Sequence, residues 1–333
     1  MKTFKASAPG KIIIAGEFAV LAEAPAISMA INKRAIASIT EHGQKRHILK
    51  TMGFKDRELS FIVNDKGKIE WLDAELDDNS IRLFFGCFWR QINIVPTAFY
   101  QFVLDTSGFY DEITGLKYGI GSSAALTVSM ASVFIDTFKL SIGVKELALK
   151  TDQEFQDANG SGVDIATSIE GGIIKYFRSK DKVTTSLNFP DNLKFKIFWS
   201  GIPVSTPRQL SKITTFSKQS FSNLNKKALQ FASIWERGTS KLFLSCLDEY
   251  TNALMEFSIE YDLNIFGNKH NMLLDLAKKN SDLVYKPCGA GGDIGICISS
   301  SDKLLNEFKE LAKQKGFVPL CLGLDKVGFN REV

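Results

Sequence analysis

Cysteine and histidine are scarce in this chain of 333 residues, which has five cysteines and three histidines. The cysteines are scattered without a CxxC pair, and the histidines form no HExxH pattern. This spacing argues against a disulfide framework and a zinc site, and it favours a reducing compartment. The chain also lacks the GxxxxGK[ST] sequence, which excludes a Walker-type nucleoside triphosphatase.

Long apolar runs and a strong net charge are missing as well. No apolar run approaches the roughly 18 residues that a membrane helix needs. The first residues are not followed by the apolar region of a signal peptide. A net charge of +4 is small for this length and indicates neither a nucleic-acid surface nor a membrane surface. We therefore expect a cytoplasmic protein with no nucleic-acid and no membrane partner.

The composition that remains is that of an ordinary globular protein, with 44% hydrophobic and 23% charged residues. The predicted elements run from strands to helices to mixed segments, without a regular βαβ alternation. This order predicts an α+β fold with helices on one face of largely antiparallel sheets. Charge and polarity rise around residues 178–195, and we place the boundary between an N-terminal domain (1–185) and a C-terminal domain (186–333) there.

Several individual elements follow from hydrophobic spacing. The spacing of Ile81, Phe84, Phe85 and Phe88 predicts a helix near residues 80–92. Apolar residues predict strands at 26–31 and 35–40, with the polar residues 32–34 as the connection between them. A helical pattern with few glycines extends from about 207 to 280, and a glycine-rich loop begins at Lys286.

One short stretch gives the clearest indication of a binding site. A helical pattern directly follows its residues, which are Gly119, Ile120, Gly121, Ser122, Ser123, Ala124 and Ala125. Small residues at a helix start let an anion approach unpaired N–H groups and the positive end of the helix dipole. We interpret the stretch as a phosphate-binding turn. The alternative is an N-capped core helix behind a glycine turn. The stretch also fits GxGxxA, but the buried strand that a dinucleotide site needs before it is absent.

Phosphoryl transfer requires more than a phosphate-binding turn, because it depends on positioning and charge neutralisation. Ser122 or Ser123 is a candidate ligand for Mg²⁺, and Lys11 and Lys117 are cations in glycine-bearing loops. Asp164 ends a loop of small residues that a substrate can approach. A position on the solvated surface explains each of these residues alone as well as a catalytic role does, but their occurrence together predicts a kinase.

Three motifs occur in the order typical of one family: Ala8-Pro9-Gly10-Lys11 through Gly16-Glu17, Gly119 through Ala125, and Gly289-Ala290-Gly291-Gly292. With them the chain resembles the GHMP small-molecule kinases over essentially its whole length. The resemblance implies an N-terminal domain like ribosomal protein S5 domain 2, a ferredoxin-like C-terminal domain, and a site between them.

Within the family, the chain is most similar to the branch that phosphorylates (R)-5-phosphomevalonate. The similarity lies in Lys117 through Ser123, in Gly160-Ser161-Gly162-Val163-Asp164, and in Trp199 through Thr206. It implies ATP and Mg²⁺ as cofactors, phosphomevalonate as acceptor, and a monomer or homodimer. The third motif is one glycine shorter than usual, so mevalonate or another alcohol acceptor remains an alternative.

The resemblance also implies roles for individual residues. The catalytic group comprises Lys11, Asp164 and Lys117. The nucleotide-binding group comprises Gly119, Ile120, Gly121, Ser122, Ser123, Ala124 and Ala125, with Ser123 as the Mg²⁺ ligand. The substrate-binding group comprises Glu17, Ser161, Gly162, Ser205, Thr206, Arg208, Gly289, Ala290, Gly291 and Gly292.

Some roles remain open between alternatives. Ser205-Thr206-Pro207 also reads as a helix N-cap followed by proline at the first helical position. Glu154 or Gln153 is a candidate for a further contact near the metal. Asp164 is expected mainly to fix Lys11, because a phosphate acceptor with a second pKa of about 6 is already ionised. A binding module without catalysis and a nicotinamide-dependent dehydrogenase are the competing functions.

Overall fold

The computed structural model describes residues 2–22, 24–53, 56–73, 79–155, 160–178, 184–203, 212–213 and 218–332. Within these ranges the chain forms two β-sheets and eight α-helices. The α+β class expected from the order of the elements is confirmed.

The strands have the following bounds: β1 Thr3–Ala15, β2 Ala26–His42, β3 His47–Met52, β4 Arg57–Val63, β5 Ile69–Trp71, β6 Phe99–Asp105, β7 Ile173–Tyr176, β8 Thr184–Leu187, β9 Lys194–Trp199, β10 Leu283–Pro287, β11 Ile294–Ser299, β12 Val318–Leu320 and β13 Asn330–Glu332. The helices are α1 Ser80–Ile92, α2 Ser122–Phe138, α3 Val144–Phe155, α4 Val163–Glu170, α5 Gln219–Ile234, α6 Ser240–Glu260, α7 Gly267–Ala277 and α8 Asp302–Gln314. Ala19–Ala22 and Ser107–Phe109 are short 3₁₀ helices.

The larger sheet has the strand order β13-β1-β2-β6-β3-β4-β5, with β7 paired to β2 and β8 paired to β7. Its pairs are antiparallel except for β3 and β6, which are parallel. Helix α2 packs against β1 and β2 and is buried along most of its length. Because α2 lies on this sheet, its N-terminus is held beside β1.

The expected connection at residues 32–34 is wrong, since β2 runs through it as one strand of 17 residues. The polar residues are accommodated by a register shift opposite Pro9 and Gly10. Asn32 and Arg34 bind the C-terminal segment instead of ending the strand. The Arg34 guanidinium donates to Asp325 Oδ2 at 2.6 Å and to the Gly328 carbonyl at 2.7 Å.

The smaller sheet has the order β10-β11-β9-β12, and all its pairs are antiparallel. Helices α5 to α7 lie between β9 and β10 in the chain, and α8 lies between β11 and β12. This is the split β-α-β arrangement of a ferredoxin-like unit, as the resemblance implied. No strand is predicted at β10, because the sequence indicates a glycine-rich loop from Lys286 onwards, whereas Lys286 lies within the strand.

The two sheets do not divide the chain into two uninterrupted halves. Strands β1 to β8 belong to the larger sheet and β9 to β12 to the smaller, and β13 returns to pair with β1. The proposed boundary at 185/186 falls inside β8, and the division into two domains stays a prediction. Among the described residues, no helix is long and apolar enough to cross a membrane.

Candidate active site between the two sheets

The glycine–serine turn forms the start of α2. Gly121 is the N-cap in a left-handed conformation with φ of 82°, and the helix begins at Ser122. The N–H of Ala125 donates to the Gly121 carbonyl at 3.2 Å. The N–H groups of residues 122–124 therefore have no acceptor within the helix and are available to an anion. Of the other predicted nucleotide-binding residues, Ala125 donates its N–H within the helix, and Ile120 has a fully buried side chain.

Strand β1 passes directly beside this turn. The backbone N–H of Lys11 donates to the Ile120 carbonyl at 2.9 Å. A Cβ atom added at Gly121 would lie 3.0 Å from Lys11 Cγ, and one added at Gly10 would lie 2.5 Å from the Ile120 oxygen. The absence of side chains at both glycines lets Lys11 cross the turn.

Lys11 and Asp164 form an ion pair, with 3.0 Å between Nζ and Oδ2. Lys11 is largely buried, whereas 42% of the Asp164 side chain is exposed. Asp164 lies in the first turn of α4, where the helix dipole stabilises a carboxylate. The two residues are 153 positions apart in the chain, and the fold brings them together.

Buried hydroxyl groups connect the helix of Asp164 with the strand of Lys11. Thr167 Oγ1 lies 2.8 Å from Ser28 Oγ, and Ser28 Oγ donates to the Ile12 carbonyl at 3.2 Å. Both side chains are completely buried. They fix α4 against β1 and β2, and hence the position of Asp164 relative to Lys11.

Two cavities meet at this ion pair. The larger has a volume of about 450 Å³, and its wall includes Lys117, Ser122 and Ser123. The smaller has a volume of about 120 Å³ and is lined by the loop 160–162 and by Gly289 and Ala290, among others. Lys11 and Asp164 line both cavities. The pair therefore stands at the junction between a space beside the phosphate-binding turn and a second, smaller space.

A second cation and an unexpected acid line the larger cavity. Burial lowers the pKa of Lys117, and the nearby Lys11 acts in the same direction while Asp293 opposes it. Asp293 is 9% exposed, and burial raises its pKa to about 7. No role for Asp293 was predicted from the sequence, although Asp293 ends the third glycine motif as Asp164 ends the loop 160–164.

Glu17 is buried between the two sheets, and its carboxylate makes three contacts there. It forms an ion pair with Lys286 of β10 and accepts a hydrogen bond from Tyr250 at 2.7 Å. It also accepts from the Gly289 N–H at 3.3 Å, and the Tyr250 oxygen accepts from the Gly16 N–H at 2.8 Å. Glu17 lines the smaller cavity and at the same time holds the third glycine loop. Lys286 and Tyr250 were not predicted from the sequence.

The third glycine loop contributes to the site unequally. Gly289 and Ala290 line the smaller cavity, and neither Gly291 nor Gly292 lines either cavity. A Cβ atom at Gly291 would lie 2.4 Å from Ile265 Cα, and the Gly292 carbonyl accepts from Ser200 Oγ at 2.6 Å. These two glycines shape the loop, and the residues before them face the cavity.

The remaining candidates divide into those inside and outside the site. Ser161 and Gly162 line the smaller cavity, and so does Asp152, for which no role was predicted from the sequence. Glu154 instead pairs with Arg90 at 2.6 Å and lines neither cavity. Ser205, Thr206 and Arg208 lie outside the described residues. Among those described, no cluster of three His, Cys, Asp or Glu side chains is arranged to hold a metal.

Curated proteins similar to this chain match it along almost its full length. A phosphomevalonate kinase from Streptomyces sp. (strain CL190) is 24% identical, covering 96% of this chain and 97% of the relative. A phosphomevalonate kinase from Saccharolobus solfataricus is 25% identical, covering 94% of each chain. A mevalonate kinase from Thermococcus sibiricus is 24% identical, covering 98% of each. No protein-family model matches the chain.

Solved structures share this fold along almost its full length. The Lin0012 protein of Listeria innocua superposes with a TM-score of 0.80 at 22% identity, covering 99% of each chain. The phosphomevalonate kinase of Streptococcus pneumoniae, in complex with phosphomevalonate and AMPPNP, superposes with a TM-score of 0.74 at 18% identity. That superposition covers 97% of this chain and 100% of the other. This chain has the GHMP kinase fold. The fold expected from the three motifs is thereby confirmed, and among these GHMP kinases the similarity includes both phosphomevalonate and mevalonate kinases.

Proposed function

We propose that the protein is a phosphomevalonate kinase, which transfers the γ-phosphoryl group of ATP to the phosphate of (R)-5-phosphomevalonate. One observation carries this proposal. The Lys11–Asp164 pair lines both cavities, between the glycine–serine turn on one side and the loop 160–162 on the other. A phosphoryl group passing from a nucleotide to an acceptor would cross this junction.

The larger cavity suits the nucleotide. The three free N–H groups of residues 122–124 and the dipole of α2 favour the phosphates, and Lys11 and Lys117 add positive charge. Apolar side chains offer a surface for the base: Met52, Ile81, Phe84, Leu104, Leu126 and Phe155. A nucleoside triphosphate requires this combination of a polar turn for its phosphates and an apolar wall for its base.

The residues also fit a magnesium ion that is carried mainly by the nucleotide. Mg²⁺ in kinases keeps several waters and takes one or two protein oxygens besides phosphate oxygens. Ser123, the second residue of α2, lines the larger cavity and would supply a hydroxyl ligand there. When bound, the ion neutralises charge on the β- and γ-phosphates.

The chemistry follows from the charge of the acceptor. A phosphate-monoester oxygen of phosphomevalonate forms a bond to the γ-phosphorus, and the bond from that phosphorus to the bridging oxygen of ADP breaks. The attacking oxygen is already ionised near neutral pH, because the second pKa of a phosphate monoester is about 6. Lys11 offsets the repulsion between two anions, and Asp164 holds the Lys11 ammonium at the junction.

An acceptor panel tests the proposal. Purified protein is given MgATP with phosphomevalonate, with mevalonate or with no acceptor, and ADP release is followed in a coupled assay. We expect acceptor-dependent turnover with phosphomevalonate. Turnover with mevalonate alone would favour the second candidate, mevalonate kinase, which the similarity to the Thermococcus sibiricus enzyme supports. No turnover with either acceptor would refute both.

A further inference from the structure

Asp293 is a buried acid of the site, and the phosphoryl transfer proposed for Lys11 and Asp164 does not use it. It follows the third glycine loop, and its backbone is fixed there because its carbonyl accepts from the Ser200 N–H at 2.8 Å. One carboxyl oxygen, Oδ1, accepts from the Ile294 N–H at 2.9 Å. The start of β11 thus holds the side chain, and the residue after β9 holds the backbone.

The other carboxyl oxygen lies against the phosphate-binding turn. A Cβ atom added at Gly119 would be 1.9 Å from Asp293 Oδ2 and 2.4 Å from its Cγ. The carboxyl group therefore fills the space that a side chain at residue 119 would take. Gly119, with φ of 82°, is the first residue of the turn, and both residues line the larger cavity. This oxygen is placed beside the position that we assign to the nucleotide phosphates.

Cations and one acid surround this carboxyl group. Lys11 from β1 and Lys117 from the segment before α2 both act on Asp293. Asp164 from α4 lines the same cavity and is paired with Lys11. Burial favours the neutral form of Asp293 and is the largest effect, whereas the Ile294 N–H and the two lysines favour the ionised form.

Cys288 and His270, two buried groups beside the third glycine loop, carry no charge near pH 7. Burial raises the pKa of the Cys288 thiol to about 12 and lowers the pKa of His270 to about 4, so both are neutral near pH 7. Lys269 donates to the Ser200 carbonyl at 3.0 Å and helps to fix the strand end that holds Asp293. The balance at Asp293 is therefore set by burial, by the Ile294 N–H and by the two cavity lysines, together with any anion bound between them.

We propose that Asp293 is a nucleotide-binding residue that is protonated in the complex and donates a hydrogen bond from its carboxyl group to a phosphate oxygen. The inference rests on the proposed function, since it requires a nucleotide in the larger cavity. A bound triphosphate adds negative charge close to Oδ2, which favours the neutral carboxyl over the carboxylate. Neutral Asp293 offers an O–H donor where an ionised one would repel the ligand.

Proton uptake on nucleotide binding is the direct consequence. With a pKa of about 7 in the free protein, Asp293 is about three-quarters ionised at pH 7.5 and about one-tenth ionised at pH 6. Binding should then draw up to about 0.7 proton into the site at pH 7.5 and little at pH 6. The affinity for the nucleotide should fall as the pH rises above 7, by up to tenfold per pH unit.

Calorimetry with MgAMPPNP as the probe tests this. Binding enthalpy is measured at pH 7.5 in buffers of different ionisation enthalpy, and the slope gives the number of protons taken up. We expect Asp293→Asn to bind the probe with a dissociation constant within about fivefold of the unaltered protein at pH 7 and to lose most of the uptake. Asp275→Asn, at an exposed position of α7, is the matched control and should retain it.

The outcomes separate this inference from the proposed function. Binding with equal proton uptake in the unaltered protein and in Asp293→Asn would overturn the inference alone. Failure of the unaltered protein to bind MgAMPPNP would overturn the proposed function as well. If the Asn variant does not fold, infrared difference spectra of the unaltered protein decide the question. The carbonyl stretch of a protonated carboxyl group must then appear on binding, and its absence would refute the inference.

Discussion

Replacing Lys11 with methionine should stop the reaction while leaving the fold intact. Methionine keeps the apolar stem that crosses Gly121 but removes the charge at the junction of the two cavities. Loss of one preorganised electrostatic donor typically costs about 10²- to 10³-fold in kcat, or about 3–4 kcal/mol. We expect Lys11→Met to lose kcat in that range with little change in the thermal unfolding midpoint.

The role of Asp164 can be separated from that of Lys11 by a double-mutant cycle. Two unit charges at about 4 Å interact by about 4 kcal/mol at an effective dielectric of 20 and by about 1 kcal/mol in water. Because Asp164 is 42% exposed, we expect a coupling near the lower end, about 1–2 kcal/mol. Asp164→Asn should then cost about 5- to 30-fold in kcat, and the double variant should lose no more than Lys11→Met alone.

The cycle has clear refuting results. Additive losses in the double variant would show that the pair does not act as a unit. A loss of 10³-fold or more in Asp164→Asn, with an acidic limb in the pH–rate profile, would assign Asp164 as a general base. Lys11→Met with nearly full kcat would refute the placement of the site. Exposed Lys50, paired with Glu58 at 2.9 Å, provides the control: Lys50→Met should leave kcat unchanged.

Three further changes test other parts of the structure. Lys286→Met leaves the buried Glu17 carboxylate without its cation. The free energy of unfolding, measured by urea denaturation, should fall by about 3–5 kcal/mol, and a fall of less than about 1 kcal/mol would contradict the buried ion pair. Gly119→Ala forces a Cβ atom onto the Asp293 carboxyl group and should weaken nucleotide binding at least tenfold in calorimetry, whereas unchanged affinity would mean that the turn does not hold phosphate. Ser123→Ala should raise the Mg²⁺ concentration for half-maximal activity several-fold, and an unchanged Mg²⁺ requirement would remove that residue from the metal site.

Local patterns explain which parts of the fold were predictable. Helix α1 has the bounds expected from the spacing of its apolar residues, because a helix face is determined by neighbours three and four positions apart. Short glycine motifs likewise identify turns through backbone conformations that few other residues adopt, as at Gly121 with φ of 82°. The order of three such motifs was enough to predict the fold.

Contacts between distant residues explain what was missed. Lys286 pairs with Glu17 across 269 positions, and no periodicity in the sequence connects the two. Strand β2 continues through its polar residues because Arg34 binds Asp325, 291 positions away. The isolated sequence of residues 32–34 contains no indication of that partner. In the sequence Asp293 directly follows the third glycine motif, but its contact with Gly119 depends on packing between the two sheets.

The identity of the acceptor is the central claim, and a competition in one tube tests it most directly. Equal concentrations of mevalonate and phosphomevalonate are incubated with MgATP and the protein, and the products are followed by ³¹P NMR. We expect growth of the diphosphate signals of mevalonate 5-diphosphate at the expense of the phosphomevalonate signal, with mevalonate unconsumed. Conversion of mevalonate to its monophosphate with no diphosphate formed would contradict it.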